Sequence, residues 1–329
     1  MSAVDVLLVS LGSTPGLRAA DRELAGALER AGATVAVAAA AAPRPVRTFA
    51  LTDLAWARAA RAAAVEGIER HRPRTVLYST TTAALLWPRP GAIRFDAPAA
   101  TTRLGRDGIW QRPVERRRLR EAPLLLPWSD QALAEVPPPH APALVVPVPV
   151  EPAGVGAPWA AREIAAVTYA GNPQKKGLDR VLAAWALARR PGELLVVAGL
   201  DPASAPVSLP PGVELTGALS PSAYRELLLR ARVYVTAPRR EDHGIAQLEA
   251  LADGCVLVTT PAPGPYVALA HARDLDPRLV TDDLAPAIRT ALDDPAPGYQ
   301  ERAIELLAPL TRASIDTLVA RDLVPRLLG

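Results

Sequence analysis

The sequence predicts an α/β fold of two parallel-sheet lobes facing each other across a cleft, and three observations carry that expectation. Short apolar runs alternate with amphipathic stretches in units of about 30 residues, the pattern of right-handed βαβ crossovers. At 329 residues the chain exceeds a usual single core and reads as two domains of roughly 150 residues each. Between Val136 and Pro158, prolines and glycines punctuate the chain as in a stiff connector. The boundary falls there, giving a first lobe of residues 1–149 and a second of residues 150–311.

Composition narrows the chemistry. Half the residues are hydrophobic but only 4% are aromatic, which suits many closely packed helices on a sheet. A formal charge of +3, read as spread along the chain, does not demand nucleic acid, while anionic small molecules or a membrane surface are tolerated. The single cysteine, Cys255, excludes an intramolecular disulfide and reads as a small buried hydrophobe. Four scattered histidines form no metal-ligand cluster, so no metal is expected. Met1 to Asp5 lack a basic segment followed by an apolar one with a cleavage site, so no leader is expected there, and no run of 18 apolar residues is free of charge or proline. The expectation is a soluble cytoplasmic protein, with a peripheral place on the inner face of the membrane as its variant.

Residues 4–11 form an apolar strand that ends in Gly12-Ser13-Thr14-Pro15-Gly16, and an amphipathic helix follows as far as Gly32. Backbone N–H groups at such a strand-to-helix loop can meet an anion or a sugar hydroxyl, or the loop is a plain tight turn. Residues 34–40 read as the second strand and 52–70 as a helix. Thr75-Val76-Leu77-Tyr78 reads as a strand ending at Ser79-Thr80-Thr81-Thr82. Residues 92–96 are the next strand, with Arg94 and Asp96 at its carboxyl end. Residues 103–120 are loop-like and then basic, with Arg112, Arg116, Arg117, Arg118 and Arg120 around Glu115 and Glu121. That is a solvated helix face, or a docking surface for an anionic acceptor or a membrane. Residues 124–126 form a strand, Ser129 or Asp130 caps a short helix, and an apolar strand at 143–146 lies inside the connector. Beyond it come strands at 167–169, 193–198, 213–216, 233–236 and 256–259, with helices at 178–189, 222–230 and 245–253, and further helices over 299–329.

Two segments of the second lobe resist explanation as packing. Gly171-Asn172-Pro173-Gln174-Lys175-Lys176-Gly177 follows a strand and opens a helix, and it holds the only two lysines of a chain that otherwise uses arginine. A compact, flexible ammonium suits a phosphate group. The other segment runs from Arg239 and Arg240 through Glu241 to Glu249, from the carboxyl end of a strand into a helix, where open α/β sheets place their ligands. Glu241 and Glu249 can share one edge of a cleft, roughly 10 Å apart by helix rise. A carboxylate accepting two hydroxyls fixes a sugar or ribose; the plain alternatives are a dipole-favoured helix charge for Glu241 and a solvated face for Glu249. The amides of His243, Gly244 and Ile245 would meet a diphosphate or sugar hydroxyl, and His243 reads as a general base or as hydrogen-bonding support.

These residues resemble the GT-B-fold retaining glycosyltransferases called family 4, the glycosyl transferases group 1. The likeness lies in the lysine-glycine loop at 171–179 and, about 65 residues on, in Glu241-Asp242-His243-Gly244-Ile245 through Glu249-Ala250-Leu251-Ala252-Asp253-Gly254. It covers roughly residues 165–265 in detail and the first lobe in architecture. It implies two Rossmann-like lobes, with the last helix, 312–329, crossing back onto the first. It also implies a nucleotide-diphosphate sugar, UDP- or GDP-linked, as co-substrate rather than any cofactor. The donor would sit on the second lobe and an unidentified acceptor on the first.

The resemblance further implies that Lys176 takes the diphosphate, Glu249 the ribose hydroxyls and Glu241 the hydroxyls of the transferred hexose, in a metal-independent transfer with retention. Gly244 and Ile245 amides would assist. Where the family has an arginine just after the loop glycine this chain has Asn172, so Lys175, Arg239 or Arg240 would supply the second charge. Where relatives carry a histidine before an aspartate it has Phe95-Asp96, which leaves Asp96 as the catalytic candidate of the first lobe. Gly12, Ser13, Thr80, Arg94 and Arg103 are acceptor-side candidates by loop position. A non-catalytic nucleotide-sugar-binding subunit and a sugar-nucleotide epimerase of the same fold are the competing readings. A dehydrogenase is disfavoured because neither lobe has the glycine fingerprint followed by an acidic residue.

Overall fold

The computed structural model describes residues 3–44, 46, 48–204 and 209–329. The chain divides into two compact units, Met1–Pro149 together with Leu310–Gly329, and Val150–Pro309. Each is built on a five-stranded parallel sheet.

In unit 1 the strands are β1 (Val6–Ser10), β2 (Val35–Ala39), β3 (Thr75–Tyr78), β4 (Ala92–Phe95) and β5 (Leu125–Pro127), in the order β2-β1-β3-β4-β5. All five residues of β1 are buried, as a central parallel strand covered on both faces requires. Helices α1 (Pro15–Arg30), α2 (Phe49–His71), α3 (Thr81–Ala84), α4 (Ala99–Thr102), α5 (Gln111–Glu121) and α6 (Asp130–Ala134) fill the connections. Thr14, Thr48, Thr80 and Ser129 each accept a first-turn amide with the side-chain oxygen, the polar start that a helix N-terminus needs. The basic stretch read as partly loop is the ordered helix α5, preceded by a 3-10 turn at Gly105–Gly108. The expected strand at 143–146 does not form. That segment runs beside β5, where Leu144 N and Val146 N donate to Leu125 O and Pro127 O, but Pro127 has no N–H to return a bond, so the ladder stops at one bridge, Ala143 to Leu125.

In unit 2 the strands are β6 (Ile164–Tyr169), β7 (Leu195–Ala198), β8 (Val213–Gly217), β9 (Ala231–Thr236) and β10 (Val256–Thr259), in the order β10-β9-β6-β7-β8. The helices are α7 (Pro173–Lys176), α8 (Leu178–Ala188), α9 (Pro221–Arg230), α10 (Ile245–Ala252), α11 (Val267–Leu275), α12 (Leu284–Asp293) and α13 (Tyr299–Leu307). The chain ends in unit 1 with α14 (Arg312–Leu318) and α15 (Val324–Leu328). Cys255 is fully buried beside Leu228 O, and burial pushes its thiol up to about 12. No described helix is long and apolar enough to cross a membrane.

Strand order fixes where each sheet can hold a ligand. Connections from β6 run one way to β7 and β8, and the chain then returns to the other side of β6 for β9 and β10. The loops after β6 and β9 therefore leave a gap at a topological switch point, and the loops after β1 and β3 do the same in unit 1.

Candidate functional site

The loop after β6 and the loop after β9 meet backbone to backbone. Gly177 has φ +65°, and a Cβ there would lie 1.8 Å from Ala237 O, so only glycine lets the two loops approach this closely. Arg239 N donates to Lys175 O at 3.0 Å across the same seam. Asn172 caps the single turn α7 by accepting from Lys175 N at 2.9 Å, which puts both lysines in its last two positions. Gly171 lies against the ring of Tyr169, where a Cβ would stand 2.3 Å from the hydroxyl.

The side chains of the two loops interlock. Lys176 Nζ donates to Glu241 Oε2 at 2.5 Å, and Lys175 Nζ donates to Asp242 Oδ2 at 2.9 Å. Arg240 Nε donates to Asp242 Oδ1 at 2.8 Å, and Arg239 pairs with Asp179 at 2.8 Å. Burial alone would raise the Asp242 carboxyl, but the charges and hydrogen bonds of Lys175 and Arg240 outweigh it and hold the group below its ordinary value. Asp242 is thus an anion set between two cations, Lys175 and Arg240.

Glu241 is buried and held from several directions. Its backbone N donates to Pro263 O at 3.1 Å, and Gln247 Nε2 donates to its Oε2 at 3.1 Å. Gln247 Nε2 also reaches Tyr266 OH at 3.4 Å, and Tyr266 OH lies 2.8 Å from Thr259 Oγ1. A continuous polar chain therefore runs from Lys176 through Glu241 and Gln247 to β10. Gly244, at φ +90°, turns the backbone into α10 and has no side chain to cap the first amides of that helix. Ile245 is the first residue of α10, and His243 is buried just before it, with its carbonyl accepting from Val267 N at 3.2 Å.

Glu249 stands one side over. Burial raises its carboxyl, Arg225 works against that rise from 3.8 Å, and Asp253 adds to it. Arg225 itself is anchored by Asp253 at 2.5 and 2.8 Å and by Glu151 O at 2.6 Å. Sequence reasoning missed Arg225, Gln247, Tyr266 and Thr259. Gln247 stood inside the segment already singled out, on the buried side of α10; nothing local marked the other three.

The unit 1 candidates are placed differently from one another. Gly12 (φ +55°) and Ser13 lie in the loop after β1, where Gly12 O accepts from Arg18 at 2.7 Å, and Thr80 caps α3 in the loop after β3. Leu11 N donates to Ser79 Oγ at 3.0 Å and ties those two loops at the switch point. Asp96 follows β4 and accepts from Ala97 N at 2.9 Å. Arg103 is engaged by both oxygens of Asp53 at 2.6 and 3.1 Å. Arg94 must be corrected: it is not a loop residue open to ligand but is fully buried. It lies over the Trp128 ring at 4.8 Å, donates to Ala20 O at 3.2 Å and sits 3.8 Å from Asp21. The burial of a guanidinium is offset there by the Asp21 carboxylate and the aromatic face.

With this geometry in place, comparison with known proteins is specific for unit 2. Residues 162–305 match the glycosyl transferases group 1 family. The matched segment contains both loops of the site. No curated protein matches the sequence. Among solved structures, the whole chain is similar in fold to WaaG, a glycosyltransferase involved in lipopolysaccharide biosynthesis, at 16% identity, TM-score 0.71, covering 98% of this chain and 99% of that one. HepE from Anabaena, in complex with UDP and glucose, is similar at 14% identity, TM-score 0.67, with 98% and 100% covered. An α,α-trehalose-phosphate synthase (UDP-forming) from Burkholderia xenovorans, in complex with glucose-6-phosphate, is similar at 14% identity, TM-score 0.67, with 99% and 100% covered. The α/β architecture of two parallel-sheet units is the GT-B fold.

Proposed function

We propose that the protein moves a hexose from a nucleotide-diphosphate sugar, UDP- or GDP-linked, to an acceptor hydroxyl with retention at the anomeric carbon and without a metal ion. The observation that carries the reading is the contact of Lys176 with Glu241, two residues 65 apart that meet at the switch point of the group 1 unit. The fold likeness to a protein complexed with UDP and glucose supports the donor class.

In this reading Lys176 and Lys175 face the diphosphate and stabilise the charge that develops on its leaving oxygen as the anomeric C–O bond breaks. The amides of Gly244 and Ile245 add oriented N–H dipoles on the same side. Glu241, held in place by Gln247, accepts hydroxyls of the transferred hexose, and Glu249 accepts those of the ribose. The acceptor oxygen bonds to the anomeric carbon from the face the diphosphate leaves, and its proton passes to the departing diphosphate oxygen on that face. Asp96 and the loops carrying Gly12, Ser13 and Thr80 form the acceptor side.

A thermal-shift screen against UDP-, GDP- and ADP-glucose tests donor class first. A ligand at 100 times its Kd stabilises the folded state by about 2.7 kcal/mol. With the donor in hand, Lys176→Ala should lower kcat roughly 100- to 1,000-fold, the scale of losing one oriented charge-stabilising group, and Glu241→Gln, which removes the charge that accepts the hexose hydroxyls and pairs with Lys176, should lower it as well. Wild-type turnover in both variants would show these roles to be wrong, and donor binding without nucleotide release under any acceptor would favour a non-catalytic binding subunit.

A further inference from the structure

A strand at the edge of a sheet carries a row of backbone N–H and C=O groups with no neighbour, and folded chains cover or blunt such rows. The two sheets present four edge strands, β2 and β5 in unit 1 and β10 and β8 in unit 2. Three of them are covered or blunted. Segment 142–146 lies along β5, where Leu125 N donates to Pro142 O at 2.8 Å and Leu144 N donates to Leu125 O at 2.9 Å. On β10, Leu257 N donates to Tyr299 OH at 3.1 Å, and Thr281 N donates to Thr259 O at 3.1 Å. Strand β8 is interrupted by a register shift opposite Val197 and Ala198 and carries the exposed Glu214.

Strand β2 has none of these devices. It reads Val35-Ala36-Val37-Ala38-Ala39, without charge, proline or bulge, and Val37 is 54% exposed. Its inner side is fixed by β1. Val6 N donates to Thr34 O at 3.0 Å and Ala40 N donates to Ser10 O at 2.9 Å, at the two ends of an unbroken parallel register. In such a ladder alternate residues of a strand face the neighbour, so Ala36 and Ala38 turn their amides and carbonyls to β1. Those of Val35, Val37 and Ala39 point the other way. Among the described residues, no backbone or side-chain group pairs with them.

We infer that β2 is the interface between two copies of this chain, its outer edge pairing antiparallel with the same edge of the second copy. A two-fold axis at Val37 sets that residue against its own counterpart and sets Val35 against Ala39 of the second copy, so every outward N–H meets an outward C=O. The edge fits itself because its outward residues are symmetric about the middle one and carry no charge to repel a second copy. The two Val37 side chains come together on one face of the joined sheet and leave water. A lipid or other apolar ligand would leave those N–H and C=O groups unmet, whereas another strand meets all of them. Among the described strands each copy has one bare edge, so the assembly closes at two copies. The inference concerns unit 1 alone and stands whether or not the donor reading holds.

Sedimentation velocity of the full chain from about 1 to 100 µM tests it, since a small interface shows itself by mass action. A monomer–dimer equilibrium is expected in that range. Val37→Pro removes the central outward N–H and spares every bond to β1, because the Val37 amide takes no part in that ladder. It should raise the dimer Kd at least about tenfold, through loss of the hydrogen bonds at the axis. Val37→Lys sets two like charges side by side there and should do as much, and it decides the matter if the proline variant fails to fold. The melting temperature of each variant, measured at a concentration where the wild type is monomeric, shows whether it is folded. A chain that stays monomeric up to about 100 µM overturns the inference. So does a dimer that either folded variant leaves at wild-type affinity, which would place the contact on another face.

Discussion

Asp242 is the residue whose charge is most at odds with a phosphate site. It sits 2.9 Å from Lys175 Nζ and 2.8 Å from Arg240 Nε, and its carboxyl is held in the anionic form. In the proposed reading a diphosphate shares those cations with it. Asparagine keeps the shape and a hydrogen-bonding oxygen while removing the charge, so Asp242→Asn should bind UDP roughly tenfold more tightly, equivalent to about 1.4 kcal/mol at the partly screened dielectric of such a site. Calorimetric titration of both proteins with UDP checks this, and equal or weaker binding would show that Asp242 orients the cations instead of competing for them. The lysines and Glu241 could be singled out from the sequence because lysine occurs nowhere else and because the acids crowd a strand-to-helix loop. Arg94 was misplaced for a physical reason. Residue order shows that it is near a strand end but not that its side chain turns under α1 toward Asp21 rather than out toward solvent.

Among the elements, α5 combines a basic outer face with one carboxyl turned inward. Glu115 Oε1 accepts from Ala99 N at 2.6 Å, at the first residue of α4. Burial pushes the Glu115 carboxyl from an ordinary 4.5 up to about 7, against hydrogen bonds from Thr81 and Ala99 and the charge of Arg103. Because the folded value is raised, the folded chain keeps a proton that the unfolded chain has lost between about 4.5 and 7. The contribution of Glu115 to stability is therefore complete below that window and is lost as pH rises through it. Glu115→Gln retains an acceptor for Ala99 N and cannot ionise, so its melting temperature should gain on the wild type between pH 5 and pH 8. A difference that stays constant with pH would place the ionised form in the fold. The basic character of this helix was legible in sequence, but its inward carboxyl was not. Period and charge describe the helix surface, whereas burial depends on α3 and α4 packing over it.

At the level of the whole molecule, the last twenty residues complete the core of unit 1. Ile315, Val319 and Leu323 are buried with Leu24, Leu28 and Leu126 in one cluster. Arg30 grips both oxygens of Asp316 at 2.6 and 2.7 Å, and Arg74 donates to Leu328 O at 2.8 Å. Ending the chain at Pro309 should therefore strip unit 1 of three buried aliphatic side chains, where truncating even one typically costs about 2–5 kcal/mol. Scanning calorimetry with and without UDP separates the two units, since only the unit that binds nucleotide shifts upward. The shortened chain should lose or sharply lower the unshifted transition. An unchanged transition would mean that the segment adds nothing to the core.

Sequence by itself determined the alternation of strands and helices, the parallel sheets, and the two loops whose polar residues packing does not explain. These are local matters, settled by periodicity, by capping residues and by glycines that permit a left-handed turn. Tertiary structure alone decided that Lys176 and Glu241 touch, that Asp242 lies between two cations, that Arg225 stands beside Glu249, and that Arg94 is buried. Each of these depends on which strands become neighbours. The order β10-β9-β6-β7-β8 is a property of long-range packing, and only that order carries a loop at residue 176 to a loop 65 residues later.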